Sequence, residues 1–264
     1  MTDYAILYAF HQSNVSGIIL DNFIKNGLSD KATYYFLLCG PDDTIEQLSN
    51  KYDNIHIRYY EGTNTAWQKW ALIIDEIQYK YKYYIFVKDK MMGPFLTDDK
   101  KKIKKKDNNW MSLLVEPLSD KNIVIAPIIN PLSSIHKNTC RPHLQVNFWA
   151  THNIGLKFLL SHNFFRFEIR KREYYLLELL TKYDVKGICY YKPLRNLDYI
   201  DIRDDFYNKC LDRTGVKCRL RKESDIFKIP PEELMFVNHK NIYLDDYFDR
   251  IRDPETGKII NEPK

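Results

Sequence analysis

From residue 4 to residue 88 the sequence switches repeatedly between two periodicities, and this constrains the fold more than any other feature. YAILYAF (4–10), ATYYFLLC (32–39), IHIRYY (55–60) and YYIFV (83–87) are short aromatic and β-branched runs that read as strands. Between them lie stretches with helical spacing. Residues 14–27 place Val15, Ile18, Ile19, Phe23 and Ile24 on one face. A second helix takes Asp42 or Asp43 as its cap and runs to about Tyr52. Residues 65–80 bring together Trp67, Trp70, Ala71, Ile74 and Ile77. Strands alternating with amphipathic helices predict an α/β fold with a central, mostly parallel sheet flanked by helices. Sheets of this kind bind ligands beyond the carboxyl ends of their strands. The loops of interest are therefore HQSN (11–14), EGTNT (61–65) and KDKMMGP (88–94), after the first, third and fourth strands.

Beyond residue 107 the pattern is mixed. A helix is expected near 107–116, a strand at NIVIA (122–126), then the loop PIINPLSS. LQVNFWATHNIGLKFLL begins as a strand and ends as a helix near 152–161. A longer helix is expected over about 168–183, followed by a short strand, GICYY (187–191). From residue 195 the chain is more polar and carries no clear period. With no repeat and no linker to cut at, the expectation is one domain over 1–250 and a frayed tail over 251–264.

Composition narrows the class. The 264 residues suffice for one large domain, and 44% hydrophobic with 28% charged is ordinary for a globular chain. No apolar run approaches the ~20 residues of a membrane span. The start, MTDYAILYAF, has an acid at position 3 and no basic n-region, which argues against a signal peptide. Five cysteines without a CxxC pair point to free thiols in a reducing compartment, so the expected location is cytoplasmic, and no structural zinc site is expected. The net charge of +5 is mild, and much of it sits in DDKKKIKKKD (98–107). That run reads as a solvated loop, or as an anion-binding flap near a phosphate. There is no RNP-type motif, Cys/His finger or basic recognition helix, so no nucleic-acid partner is expected. The many Tyr, Lys, Asn and Ile residues suggest an AT-rich genome.

Several chemistries lack their motif. There is no GxGxxG after the first strand, no GxxxxGK[ST] and no GxSxG. His136 and His143 flank Cys140, which is weak support for a dyad. Asp89 stands out. It ends a strand that reads as buried, lies between Lys88 and Lys90, and precedes the Gly93-Pro94 turn. A carboxylate there reaches a ligand in the crevice. It can hold Mn²⁺ or Mg²⁺ that keeps its other positions for water and phosphate oxygens, and such a metal neutralises charge on a departing diphosphate. The alternative is a turn acid paired at the surface with Lys88 or Lys90, worth little to stability.

YIFVKDKMMGPFL resembles the YIFxNDxxxGPF signature of a group of GT-A-type glycosyltransferases. The group includes bacterial polysaccharide enzymes and the first domain of a chlorovirus capsid glycosyltransferase. Three further segments match in the same order. RPHLQVNFWATHNIGLKFLL (141–160) resembles a segment with a His-x-Gln pair, then an aromatic, Ala-Thr and a Gly-Leu helix. REYYLLELL (172–180) resembles a helix opening on a glutamate. PEELMFVNHKN (231–241) resembles a Pro-x-Glu-x-x-Phe segment. The matches span about residues 83–241. The chain departs from the group at Lys88, where Asn or Asp is usual, and at Met92, where Arg is common. Asn64 stands in a loop that usually carries an acid, and Asn238 where a lysine is usual, with Lys240 close by.

The resemblance implies a GT-A-like, nucleotide-sugar-binding fold and roles for particular residues. Phe10, His11 and Ser13 would hold base and ribose, with Asn64 hydrogen-bonding in place of an acid. His143 and Gln145 would lie near the donor sugar or metal. Glu173 would be the general base of an inverting transfer, taking a proton from an acceptor hydroxyl. Asp89 would be the metal ligand. Because two acids are missing, Lys88 or Lys90, helped by the 100–106 lysines, offers a metal-independent way to stabilise the leaving diphosphate. Trp67, Trp70 and Trp149 read as core. The implied activity moves a sugar from a nucleotide donor, UDP-linked in this reading, to a hydroxyl of a growing glycan. The setting would be viral or bacterial surface polysaccharide, with a large DNA virus fitting the composition and L-rhamnose a possible donor sugar by resemblance alone. Two rival readings remain: a degenerate GT-A fold that binds a nucleotide sugar or glycan without turnover, and a nucleic-acid-binding protein that uses the lysine run.

Overall fold

The computed structural model describes residues 2–11, 16–62, 65–96, 109–130, 143–166, 172–190 and 234–238. The first half follows the alternating pattern: β1 (Tyr4–Ala9), α1 (Ser16–Gly27), β2 (Ala32–Leu38), α2 (Asp43–Lys51), β3 (Ile55–Tyr59), α3 (Ala66–Ile77) and β4 (Tyr83–Lys88). The second half holds β5 (Met91–Met92), α4 (Trp110–Val115), β6 (Asn122–Ala126), β7 (Ile129–Asn130) and β8 (His143–Leu144). It continues with β9 (Phe148–His152), α5 (Asn153–Ser161), α6 (Arg172–Lys182), β10 (Lys186–Cys189) and β11 (Val237–Asn238).

Helix starts are set by side chains that satisfy orphan N–H groups. Of the two candidate caps for α2, Asp42 is the one used, accepting from Ile45 N–H at 3.1 Å. Thr65 caps α3 by accepting from Gln68 N–H at 3.2 Å. At α5 the cap is His152. Its Nδ1 accepts from Gly155 N–H at 2.8 Å, so its Nε2 carries the proton and donates to Ser119 O at 2.9 Å.

Seven strands form one sheet in the order β10-β6-β9-β4-β1-β2-β3. The pairs β1–β2, β1–β4, β2–β3 and β6–β10 are parallel. Strand β9 runs antiparallel to both β4 and β6. The sheet is thus mostly parallel and mixed, as expected for the α/β class. Two small antiparallel pairs, β5–β11 and β7–β8, stand apart from it.

Strand alternation divides the core in two. Ala5, Leu7 and Ala9 of β1 pack with Trp67, Trp70, Ile73 and Ile74 of α3 and with leucines of α5 and α6. Ile6, Tyr8 and Phe10 pack with Leu20 and Phe23 of α1, Trp110 and Leu114 of α4, and Phe236. Helices therefore cover both faces. The three tryptophans Trp67, Trp70 and Trp149 are core residues, at most 2% exposed. Trp149 stacks on Phe86 with ring centroids 4.0 Å apart. Burying each such ring stabilises the fold by roughly 1.5–3 kcal/mol.

The expected helix over 65–80 ends earlier, at Ile77, because Gln78 leaves the helical region with ψ 139° and Tyr79 follows with a left-handed φ of 68°. Cys39 is exposed and Cys189 buried, and neither is in a disulfide among the described residues. Cys140, Cys210, Cys218, the lysine run and the 251–264 tail lie outside the described residues.

Candidate functional site

The strand order creates a topological switch point. From β1 the chain steps outward to β2 and β3, then crosses back to place β4 on the other side of β1. Connections diverge between β1 and β4, and in open α/β sheets this switch point is where the carboxyl ends leave room for a ligand. Ala9 pairs with Lys88 in the register, so the residues that follow each strand face each other across the gap.

Asp89 sits at that point, only 6% exposed. Its backbone N–H donates to Ala9 O at 3.1 Å, and its Oδ2 accepts from His11 N–H at 3.1 Å. Burial raises its pKa above the usual carboxylate value. Nearby His11, the His11 N–H, Lys90 and Lys69 pull the other way without winning. This is not the surface turn acid that the lysine flanks suggested. Beneath it, the buried Tyr8 hydroxyl has no hydrogen-bond partner among the described residues. Burial raises that phenol's pKa, and the Asp89 charge raises it further.

The flanking lysines go different ways. Lys88 belongs to β4 and is half-buried, and its Nζ donates to Asn147 Oδ1 at 2.7 Å, on the turn that leads into β9. Lys90 is exposed on the turn after Asp89.

A third lysine was not foreseen. Lys69, on α3, is fully buried. Its ammonium donates to Phe10 O at 2.7 Å and also meets the Cys39 thiol. Burial lowers its pKa, while Cys39 and Asp89 oppose that shift. A buried ammonium is tolerated only when its protons are engaged. Its place in the helical period gives the burial: Lys69 lies three residues after Ala66 and four before Ile73, both on the face that the structure buries.

Other predicted residues reach the same end of the sheet. Phe10 is buried, with its N–H bonded to Leu37 O at 3.1 Å, and His11 is half-buried beside Asp89. Gln145 is half-buried, and its N–H donates to Ile128 O at 3.1 Å. His143 lies in β8, paired with Asn130. Because β9 is antiparallel to β4, the 143–147 stretch that precedes it lies at the carboxyl end of β4, where Lys88 N–H bonds Asn147 O at 3.0 Å. Glu173 is in the first turn of α6. The end of α6 turns back into β10, which is parallel to β6, so the start of α6 lies toward the strands' carboxyl ends. Ser13 and Asn64 lie outside the described residues.

The C-terminal motif also meets the Asp89 loop. Met92 pairs with Val237 and Met91 with Asn238, and Phe95 N–H donates to Met235 O at 2.7 Å. Segments about 140 residues apart in the chain thus close one structure.

Among the described residues, no three His, Cys, Asp or Glu side chains group closely enough to hold a metal ion. At the switch point Asp89 offers a hard oxygen ligand, with no second acid grouped beside it among the described residues. That donor set fits a cation that completes its shell with water and phosphate oxygens, and it does not fit an all-protein cage.

No protein-family model matches the chain. No curated protein matches it either. Among solved structures, it is similar to the mannosyltransferase PcManGT from Pyrobaculum calidifontis in complex with GDP-Man and Mn²⁺. The identity is 9% and the TM-score 0.39, over 61% of this chain and 46% of that one. A cytidylyltransferase from Leptospira borgpetersenii serovar Hardjo-bovis gives 11% identity and a TM-score of 0.39, over 80% of this chain and 87% of that one. A glycosyltransferase involved in the glycosylation of the major capsid of PBCV-1 gives 6% and 0.33, over 62% of this chain and 65% of that one. The chain spans under half the length of the mannosyltransferase and slightly under two thirds of the PBCV-1 enzyme. All three scores are too low to carry an inference about activity or substrate.

Proposed function

We propose that this chain is a glycosyltransferase that moves a sugar from a nucleotide-sugar donor, UDP-linked in the first instance, to a hydroxyl of a glycan. One observation carries the reading: a buried carboxylate, Asp89, is held by a backbone N–H at the switch point of a mostly parallel sheet. The four sequence segments that resemble GT-A-type enzymes support it.

In this reading the donor diphosphate lies over the carboxyl ends of β1 and β4. Asp89 holds Mn²⁺ or Mg²⁺, which supplies charge neutralisation on the leaving diphosphate. Lys90 adds a preorganised cation beside it. Phe10, His11, Ser13 and Asn64 receive the nucleoside, and His143 and Gln145 approach the sugar. Glu173 takes the proton from the acceptor hydroxyl, whose oxygen bonds to the anomeric carbon on the face opposite the departing nucleoside diphosphate, a single displacement that inverts. A viral or bacterial surface glycan is the proposed product, and the cytoplasm the proposed setting. No helix among the described residues is long and apolar enough to cross a membrane.

A second reading is a degenerate fold that binds the donor without turnover. Lys88, Met92 and Asn64 depart from the GT-A-type pattern, and the Lys88 ammonium donates to Asn147 Oδ1.

Calorimetric titration with UDP, in Mn²⁺ and again in EDTA, tests both. Binding that needs Mn²⁺ supports the Asp89 metal site. Equal binding in EDTA that is lost in Lys90→Ala assigns the diphosphate to lysine. Binding with no sugar transfer across a donor panel selects the degenerate reading, and no binding in either buffer overturns the nucleotide assignment.

A further inference from the structure

We propose that Lys69 is the positioning residue of the site: its ammonium and the Asp89 carboxylate clamp the two ends of one peptide unit, and this clamp aims Asp89 at the crevice. The inference rests on the reading of Asp89 as the donor-binding carboxylate.

The peptide bond between Phe10 and His11 is the shared element. Its C=O accepts from Lys69 Nζ at 2.7 Å, and its N–H donates to Asp89 Oδ2 at 3.1 Å. In a trans peptide these two groups point in opposite directions. The unit's dipole of ~3.5 D therefore has a cation at its negative end and an anion at its positive end. Both hydrogen bonds are charge-assisted, the stronger kind. Rotating the peptide plane breaks both at once, so each bond holds the geometry of the other.

Burial makes the arrangement specific. Lys69 is fully buried and Asp89 nearly so, and neither exchanges its partner for water at low cost. A buried lysine needs some acceptor, yet many carbonyls would satisfy it. The one it uses belongs to the peptide that orients Asp89. Asp89 Oδ2 is thereby committed to His11 N–H, and in this reading the other oxygen serves the ligand. Lys69 also lies one helical turn from the cap of α3, and its N–H bonds Thr65 O at 3.3 Å. The clamp therefore ties the loop after β3 to the loops after β1 and β4.

The test uses the free protein first. The His11 amide proton resonance reports its bond to Asp89 without any ligand. In Lys69→Met that resonance is expected to move upfield, while the amides of β4 stay in place. Lys69→Gln keeps a donor for Phe10 but loses the charge, and is expected to fall between. From the other end, Asp89→Ala is expected to move the Phe10 carbonyl ¹³C resonance. UDP affinity is expected to drop about tenfold in Lys69→Met, equivalent to roughly 1.4 kcal/mol, and to recover in part in Lys69→Arg. A His11 amide that stays put in folded Lys69→Met or Lys69→Gln overturns the clamp, as does an unmoved Phe10 carbonyl in Asp89→Ala. If the parent protein does not bind UDP, the functional reading fails, and the two resonances still decide the clamp.

Discussion

Asp89 is held against its own preference for water. Its raised pKa means that the folded state disfavours the ionised form even with His11, Lys90 and Lys69 nearby. Between the unfolded and folded pKa values the native protein binds more protons, so stability falls as pH rises through that window. The penalty grows with pH across that window. Asp89→Asn is therefore expected to stabilise the fold, on the order of 1 kcal/mol as active-site replacements often do, or about 2–4 °C in Tm for a chain of this size. It should abolish UDP binding in the same preparation. Thermal melts from pH 7 down to pH 4 check the sign: the gap between variant and parent should close as Asp89 protonates. A variant that is less stable at every pH would show that the carboxylate stabilises the fold on balance. At this scale the sequence disclosed Asp89 but not Lys69. The period of α3 is carried by its apolar residues, and a lysine on that arc gives no signal of burial because its stem can lie along the core while only its tip is polar.

Single elements were mostly legible, because periodicity reports the local backbone directly. The expected strands 4–10, 32–39, 55–60 and 83–87 appear as β1 to β4 within a residue or two, and NIVIA appears as β6. The direction of β9 was not legible: FWATH is buried at every position, and an apolar run carries no sign of its orientation. The Gly93-Pro94 turn was visible in the sequence, but its partner was not. Gly93 takes a φ of +152°, and a Cβ there would meet Met235 O at 2.5 Å and the Phe236 ring at 2.7 Å. Only glycine lets the Asp89 loop pass so close to the C-terminal segment. Gly93→Ala is expected to cost about 2–3 kcal/mol through strain and displacement, seen as a lower urea midpoint with an unchanged slope. UDP affinity should fall as well. An alanine variant of parental stability would mean that β5 and β11 separate freely.

The order of strands in the sheet is a property of the whole chain, and nothing in local period encodes it. The crevice exists because β4 returns to the inner side of β1, and the sequence showed only that four strands alternate with three helices. The same holds for the closure of the site by residues 234–238. Phe236 is fully buried, stacked on Phe148 at 3.9 Å, with Trp110 at 5.3 Å and Phe23 at 6.4 Å. It joins α1, α4 and β9 to the loop that follows Asp89. Phe236→Ala removes this link and leaves a cavity, at an expected cost of about 3–5 kcal/mol. The loss should not stop at stability, because Met235 O, one residue away, holds Phe95 N–H at 2.7 Å and so steadies the Asp89 loop. Urea unfolding and UDP calorimetry on one preparation separate the two effects. Leu114→Ala, in the same core cluster but away from the loop, serves as the comparison. If 234–238 closes the site, Phe236→Ala weakens UDP binding at concentrations where the protein is fully folded, while an equally destabilised Leu114→Ala binds as the parent does. Equal affinities in the two variants would reduce the C-terminal segment to core packing and leave the crevice to β1, β4 and α3 alone.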